Sequence, residues 1–228
     1  MQDRKYYHAY EDRYRQVHDL NLQWSFEKPS DIVRQTMERY GISKNHKIIE
    51  IGCGEGRDAL PLLTDGYDLL ATDVSKEAIR YCQEKVPEYA AHFQMLDCIE
   101  DKLAQRFDFI YAVAVLHMLV EEIDRDGFYG FIREHLKSNG IALICTMGDG
   151  QFERKSDIST AFELQERFHQ ESGQTVNIAG TSCRMVSFDT LSEELKRNHL
   201  IAVEQGICSD EPNFDRLMYT VVKKSNLS

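Results

Sequence analysis

Short apolar runs alternate with stretches of helical period along most of this chain. KIIEI (47–51), DLLATD (68–73), AHFQMLD (91–97), FDFIYAVAV (107–115) and GIALICTM (140–147) have the length and content of buried strands. Between them RDALPLLTDG (57–66), SKEAIRYCQEKV (75–86) and EEIDRDGFYGFIREHLKSNG (121–140) read as helices. In the last, Phe128, Phe131, Ile132 and Leu136 recur at helical spacing, and Gly140 is the expected stop. KPSDIVRQTMERYG (28–41) predicts a further helix, with Ser30 as N-cap and Gly41 as its end. Strands apolar on both faces and separated by helices predict a parallel α/β sheet. LIAVEQGICSD and RLMYTVVKK, with only DEPNFD between them, predict an antiparallel strand pair, because so short a link cannot carry a crossover.

The first strand runs into glycines at alternate positions: Gly52, Gly54 and Gly56. At the carboxyl end of a parallel strand, where ligands bind, such a turn lets backbone approach a ligand closely. A dinucleotide fingerprint would place the third glycine one residue later, where Arg57 stands, so the spacing disfavours a pyrophosphate cradle. Pro61 fits the first turn of the following helix. Asp73 ends the second strand, where a carboxylate accepts from ribose hydroxyls or caps the helix starting near Ser75. Asp97, followed by Cys98, ends the third strand and either accepts from an adenine amine or is a loop acid. Together these residues describe an adenosine pocket without a phosphate site.

Composition narrows the partners. The 228 residues are 42% hydrophobic, enough for one domain spanning 1–228. No run approaches the roughly 18 apolar residues of a membrane helix. The charged, aromatic N-terminus does not read as a signal peptide, and no membrane partner is expected. Six scattered cysteines without a CxxC pair predict reduced thiols and a cytoplasmic location. A formal net charge of −11 argues against a nucleic-acid partner. Oligomeric state is open.

EIGCGEG, ATDVS, MLD and FDFIYAVAVLHML resemble the ordered motifs of class I S-adenosylmethionine-dependent methyltransferases over about residues 45–147. The resemblance implies an α/β fold with a doubly wound, seven-stranded, mostly parallel sheet in the order 3-2-1-4-5-7-6, strand 7 being antiparallel. It implies S-adenosyl-L-methionine as cofactor and S-adenosyl-L-homocysteine as product. Gly52, Gly54 and Gly56 would face its methionine part, Asp73 would hold its ribose and Asp97 would lie near its adenine amine, with Cys53, Val74 and Cys98 as further cofactor residues. Backbone at Ala112 and Val113 would meet the amino group. GEGRDALPLLTDGYDLLATDVS and YEDRYRQVH are similar to the tellurite-resistance and thiopurine small-molecule enzymes.

The flanking segments predict the rest of the site. Tyr7, Tyr10 and Tyr14 share a helical face within residues 1–40, which also hold Trp24, the sole tryptophan. They either pack a helix onto the body or form an aromatic lid that attracts a sulfonium and excludes water. Tyr14 and Arg13 would then bond the methionine carboxylate. Residues 148–188 read as an inserted substrate element, and 189–228 as a closing helix, from about Thr190, plus the strand pair. In the extended strip TSCRMVSF, Ser182, Arg184 and Val186 are expected to point one way. Arg184 would clamp an acceptor carboxylate or form a surface ion pair; with Ser182 and Tyr10 it is a candidate substrate residue. His117, after strand four, is a candidate cofactor residue and catalytic base, or a packing histidine.

AVAVLHM lacks the N/D-P-P-Y/F stretch of enzymes that methylate base amines, and Glu121 and Glu122 come too late to serve as an arginine methyltransferase pair. Ala112 and Val113 cannot ligate magnesium, so no metal is expected. The expected activity is methyl transfer to a small-molecule acceptor. Another S-adenosylmethionine-dependent transfer or cyclisation, and a cofactor-binding regulatory module, stay open.

Overall fold

A computed structural model describes residues 4–25, 28–169, 172–208 and 216–225. Its strands are β1 (Lys47–Ile51), β2 (Asp68–Asp73), β3 (Phe93–Met95), β4 (Phe107–Val113), β5 (Leu136–Met147), β6 (Arg154–Lys155), β7 (Leu164–His169), β8 (Gln174–Ala179), β9 (Arg184–Met185), β10 (Leu200–Cys208) and β11 (Leu217–Lys224). The helices are α1 (Ala9–His18), α2 (Asp31–Arg39), α3 (Ala59–Thr64), α4 (Lys76–Lys85), α5 (Glu122–His135) and α6 (Phe188–Arg197).

Seven strands form the main sheet in the order β10-β11-β5-β4-β1-β2-β3. β11 runs antiparallel to both neighbours, and the other pairings are parallel. This is the expected 3-2-1-4-5-7-6 order. β1 lies inside the sheet, between β4 and β2, and its Ile48, Ile49 and Ile51 are buried on both sides of the strand. One face of the sheet packs on Phe128 and Ile132 of α5 and Leu191 of α6. The other packs on Val33 of α2, Leu62 of α3 and Ile79 of α4. The sheet is thus doubly wound. No helix among the described residues is long and apolar enough to cross a membrane.

Some local expectations need correction. The helix before β5 ends at His135, not at Gly140. Leu136 is already extended, at φ −74 and ψ 136, and pairs with Phe107. Gly140 lies inside β5 at a register shift, where a Cβ would stand 2.9 Å from the Asp108 carbonyl oxygen. Its small size serves close strand approach rather than helix termination. β3 is shorter than its apolar run because Pro87–His92 form a 3-10 segment first. Ser30 occupies the N-cap position of α2, but its hydroxyl donates to Asp58 at 3.1 Å and makes no cap bond. Gly41 does end α2, with the Ile42 N–H reaching back to the Met37 carbonyl at 2.8 Å. α6 begins two residues before Thr190, and the Ser187 hydroxyl caps it by accepting from the Thr190 N–H. The link DEPNFD lies outside the described residues.

Segments far apart in sequence meet above the glycine turn. α1 lies against β8: Val17 packs with Val176 and Ile178, and the Ala179 N–H donates to Gln16 at 2.6 Å. β8 pairs with β7 as a hairpin, and β6 pairs with β9. The N-terminal segment and residues 148–188 therefore share one wall of a large cavity.

Candidate functional site

The turn after β1 needs glycine for a reason internal to the chain. Gly52 and Gly54 have φ of +74 and +52, a region that side chains resist. A Cβ on Gly52 would collide with the Val115 side chain, and one on Gly54 would lie 2.6 Å from the Tyr14 hydroxyl. Tyr14 thus stands directly over the turn. Gly56 differs. A Cβ there would lie 3.3 Å from Cys82 and 3.4 Å from Phe93, and the residue sits off the cavity. It packs the turn onto α4 and β3, so the expectation that it faces the methionine part is corrected.

Asp73 holds this turn in shape. Its carboxylate accepts from the Gly54 N–H and the Ser75 N–H, each at 2.8 Å. Ser75 in turn caps α4 through the Ala78 N–H. Burial pushes the Asp73 pKa up to about 6, against the pull of the two N–H groups. The capping and ligand-facing readings of Asp73 are compatible, because each carboxylate oxygen keeps a second lone pair. Asp97 faces the same cavity and accepts from the Ile99 N–H at 2.9 Å and the Tyr7 hydroxyl at 3.1 Å, with the His8 ring 3.4 Å away. Burial raises its pKa, but His8, the Ile99 N–H and Tyr7 outweigh this and hold it below the ordinary value.

The cavity has a volume of about 1030 Å³. Gly52, Cys53, Gly54, Asp73, Val74, Asp97 and Cys98 line it. Tyr10, Tyr14, Trp24, Val113, His117 and Ser182 also reach it. Ala112 does not: it is 1% exposed and packs within the core. The backbone facing the cavity starts one residue later and includes Ala114, whose φ of +61 is rare for a residue with a side chain. Nothing in the sequence marks that position.

Arg184 is corrected too. Its guanidinium donates to the Val120 carbonyl at 3.1 Å and lies 3.6 Å from Glu194 and 3.8 Å from Glu122. It does not line the cavity, whereas Thr181, Ser182, Cys183 and Met185 do. The expected alternation breaks at Ser182 and Cys183, which both line the cavity before β9 begins, and within β9 Met185 faces the cavity while Val120 and Glu194 draw Arg184 away. His117 is buried, and burial followed by the nearby Arg125 brings its pKa down to about 4. Its Nδ1 accepts from the Met147 N–H at 3.3 Å, which leaves the ring hydrogen on Nε2. A neutral donor of this kind is a poor general base near pH 7.

Sequence reasoning missed His18 and Glu55. The Glu55 carboxylate accepts from the Trp24 N–H at 2.8 Å, the Ser25 N–H at 2.6 Å and His18 Nε2 at 2.8 Å. His18 Nδ1 lies 2.7 Å from Glu77, and its ring stacks on Tyr81 at 4.4 Å. An imidazole between two carboxylates can donate from both nitrogens only as the cation, so this setting favours the charged form. Burial opposes that charge, but the bonds to Glu55 and Glu77 outweigh it and raise the pKa. The stabilisation is therefore complete below the unfolded value of about 6.5 and is lost as pH rises through the raised folded value. His18→Gln should destabilise the protein at pH 6 by about 1.5–3 kcal/mol, the scale of hydrogen bonds to charged groups. The gap to wild type should shrink on going to alkaline pH. Thermal unfolding across that range checks it, and a gap independent of pH contradicts the charged pairing.

Arg13 completes the wall. It is buried, and its Nε and Nη2 donate to the Ala179 carbonyl at 3.1 and 2.9 Å. Its guanidinium lies 5.0 Å from the Tyr10 ring and 4.8 Å from the Trp24 ring. Among the described residues no group of three or more His, Cys, Asp or Glu is arranged to hold a metal ion.

Residues 49–142 match a family model described as a methyltransferase domain. The matched stretch is about two-fifths of the chain. It carries most of β1, the glycine turn, Asp73 and Asp97, and it ends within β5. The chain is 26% identical over 134 residues to a ubiquinone biosynthesis O-methyltransferase of Rickettsia conorii, a match over 58% of this chain and 42% of that protein. It is 27% identical over 122 residues to a malonyl-[acyl-carrier protein] O-methyltransferase of Acetivibrio thermocellus, over 53% and 41% of the two chains. The chain thus spans less than half the length of these curated relatives. Among solved structures it resembles the CcbJ methyltransferase of Streptomyces caelestis, with a TM-score of 0.69 and 16% identity over 94% of this chain and 99% of that one. The Burkholderia thailandensis 1,6-didemethyltoxoflavin-N1-methyltransferase gives a TM-score of 0.70 and 17% identity, over 97% and 89%. These likenesses show a shared fold that takes in the flanking segments.

Proposed function

We propose that this chain transfers a methyl group from S-adenosylmethionine to a small-molecule acceptor. One observation carries the reading. A buried carboxylate, Asp73, shapes a glycine turn at the cavity wall, and a second, Asp97, faces the same space from the end of the next strand. This donor set fits an adenosine: Asp73 accepts from ribose hydroxyls, and Asp97 from the adenine amine. The turn offers no pyrophosphate cradle, which fits a cofactor without phosphates. The matched domain, and the S-adenosylhomocysteine bound to the Burkholderia thailandensis enzyme, support the same choice.

When bound, S-adenosylmethionine supplies a methyl group already activated by its sulfonium. The chain's own residues then have to align the acceptor and exclude water. Gly52, Gly54 and Val74 form the floor under the cofactor. Tyr10, Tyr14 and Trp24 cover it, with the Arg13 guanidinium already over the Tyr10 and Trp24 rings. Glu55 and His18 clamp that cover to the turn. Residues 148–188 supply the far wall, where the acceptor sits. No general base is required of His117, and its low pKa fits a positioning donor to the bound molecules.

Incubation with methyl-labelled S-adenosylmethionine and a metabolite extract tests the reading. The expected result is a labelled small molecule together with S-adenosylhomocysteine, both read by mass spectrometry. Methylthioadenosine as product would indicate a different transfer, and cofactor binding without turnover would indicate a regulatory module.

A further inference from the structure

The cavity wall holds positive charge that the chain itself does not neutralise. Arg13 is 5% exposed, yet no described carboxylate lies within 4 Å of it. Most arginines of the body are paired, as Arg57 is with Asp58 and Arg125 with Glu194. Arg167, on β7, also lines the cavity, and its polar partner is Gln165 at 2.7 Å rather than an acid. The two guanidinium groups are near enough that Arg167 opposes the charge on Arg13. Arg154, from β6, reaches the same cavity and lacks a carboxylate partner among the described residues as well. This occurs in a chain with 38 acidic and 27 basic residues, where a stray carboxylate is the commoner neighbour.

A second, independent feature lies in the same wall. Ser182 is 5% exposed and lines the cavity, and its hydroxyl has no hydrogen-bond partner among the described residues. It is the one buried side-chain polar atom among them in that condition. A buried hydroxyl without a partner costs about 1–3 kcal/mol, so such groups in folded proteins usually await a ligand or a water. Ser182 is three residues beyond Ala179, the residue that anchors Arg13. The unpaired hydroxyl and the guanidinium without a carboxylate partner therefore belong to one stretch of wall. The only acid that the described part of 148–188 brings to the cavity is Asp157, which is already bonded to Ser159.

We propose that the acceptor carries an anionic group, a carboxylate or a phosphate, held by Arg13, Arg167 and Ser182 with Arg154 nearby. This rests on the methyltransferase reading and deepens it by naming the acceptor class. A guanidinium fork and a hydroxyl donor match either anion, and both groups are then desolvated together, where charge-assisted bonds are strongest. Met118, Leu119 and Met147 line the cavity too and give the remainder of the acceptor an apolar surround.

The test uses calorimetry on the whole chain, with benzoate, phenyl phosphate and the neutral benzamide as probes. Each is titrated with and without saturating S-adenosylhomocysteine, which fills any carboxylate site belonging to the cofactor. With it present, benzoate or phenyl phosphate should bind at least about tenfold more tightly than benzamide. The tighter of the two names the anion. Arg167→Gln, an exposed position that does not threaten folding, and Ser182→Ala should remove most of that preference and leave S-adenosylhomocysteine affinity within about twofold. Three outcomes overturn the proposal: equal binding of all three probes, binding of none, or an anion preference that persists in Arg167→Gln. Anion binding that disappears once S-adenosylhomocysteine is present also overturns it, because the arginines then serve the cofactor. Failure of S-adenosylhomocysteine to bind counts against the methyltransferase reading alone, since the titrations without it still read out the anion site.

Discussion

Glu194→Ala should destabilise the protein by about 3–5 kcal/mol, the usual cost of removing one half of a buried ion pair. Arg125 is wholly buried, and its Nε and Nη2 donate to the two Glu194 oxygens at 2.8 and 2.6 Å. The Tyr129 hydroxyl adds a bond to the same carboxylate at 2.8 Å. Arg125 Nη1 then donates to the carbonyls of Leu116 and Leu119, at 2.9 and 3.2 Å. One carboxylate thus ties α5, α6 and the turn that carries His117 into a single unit. Without it, the guanidinium stays in the core with no counter-charge. Denaturant midpoints with an unchanged slope measure the loss. Arg125→Met combined with Glu194→Leu should recover much of it, because no charge is then stranded. A loss under about 1 kcal/mol in the single variant contradicts the pairing.

The parts of this protein that could be read from its sequence are those whose causes are local. β1 and β2 fall where their apolar runs begin and end, because strands buried on both faces write their limits into composition. The glycine turn, Asp73 and Asp97 stand at strand ends, so their placement follows once the strands are known. The failures have non-local causes. Leu136 continues a helical spacing, yet it pairs with Phe107, and Gly140 answers to the Asp108 backbone rather than to its own helix. Arg184 alternates correctly in the sequence, but Glu194 and Val120 decide where it points. His18, Glu55 and Glu77 meet from three different elements, and only a charge inside the otherwise small-residue turn GCGEG hinted at any of them. The acceptor side depends on contacts such as Arg13 with Ala179, which no local pattern reveals.

The second large effect concerns the cofactor. Asp73→Ala removes a buried charged acceptor from the ribose side of the cavity and frees the Gly54 and Ser75 N–H groups it holds. Hydrogen bonds to a charged group are worth about 1.5–3 kcal/mol each, so the loss should weaken binding by at least about tenfold. The most direct measurement is a calorimetric titration of S-adenosylmethionine into wild type and into Asp73→Ala, with thermal unfolding confirming that the variant is folded. Saturable one-site binding to wild type is expected, with a dissociation constant at least about tenfold higher in the variant. Equal affinity in a folded Asp73→Ala protein, or no binding to wild type, would contradict the adenosine pocket.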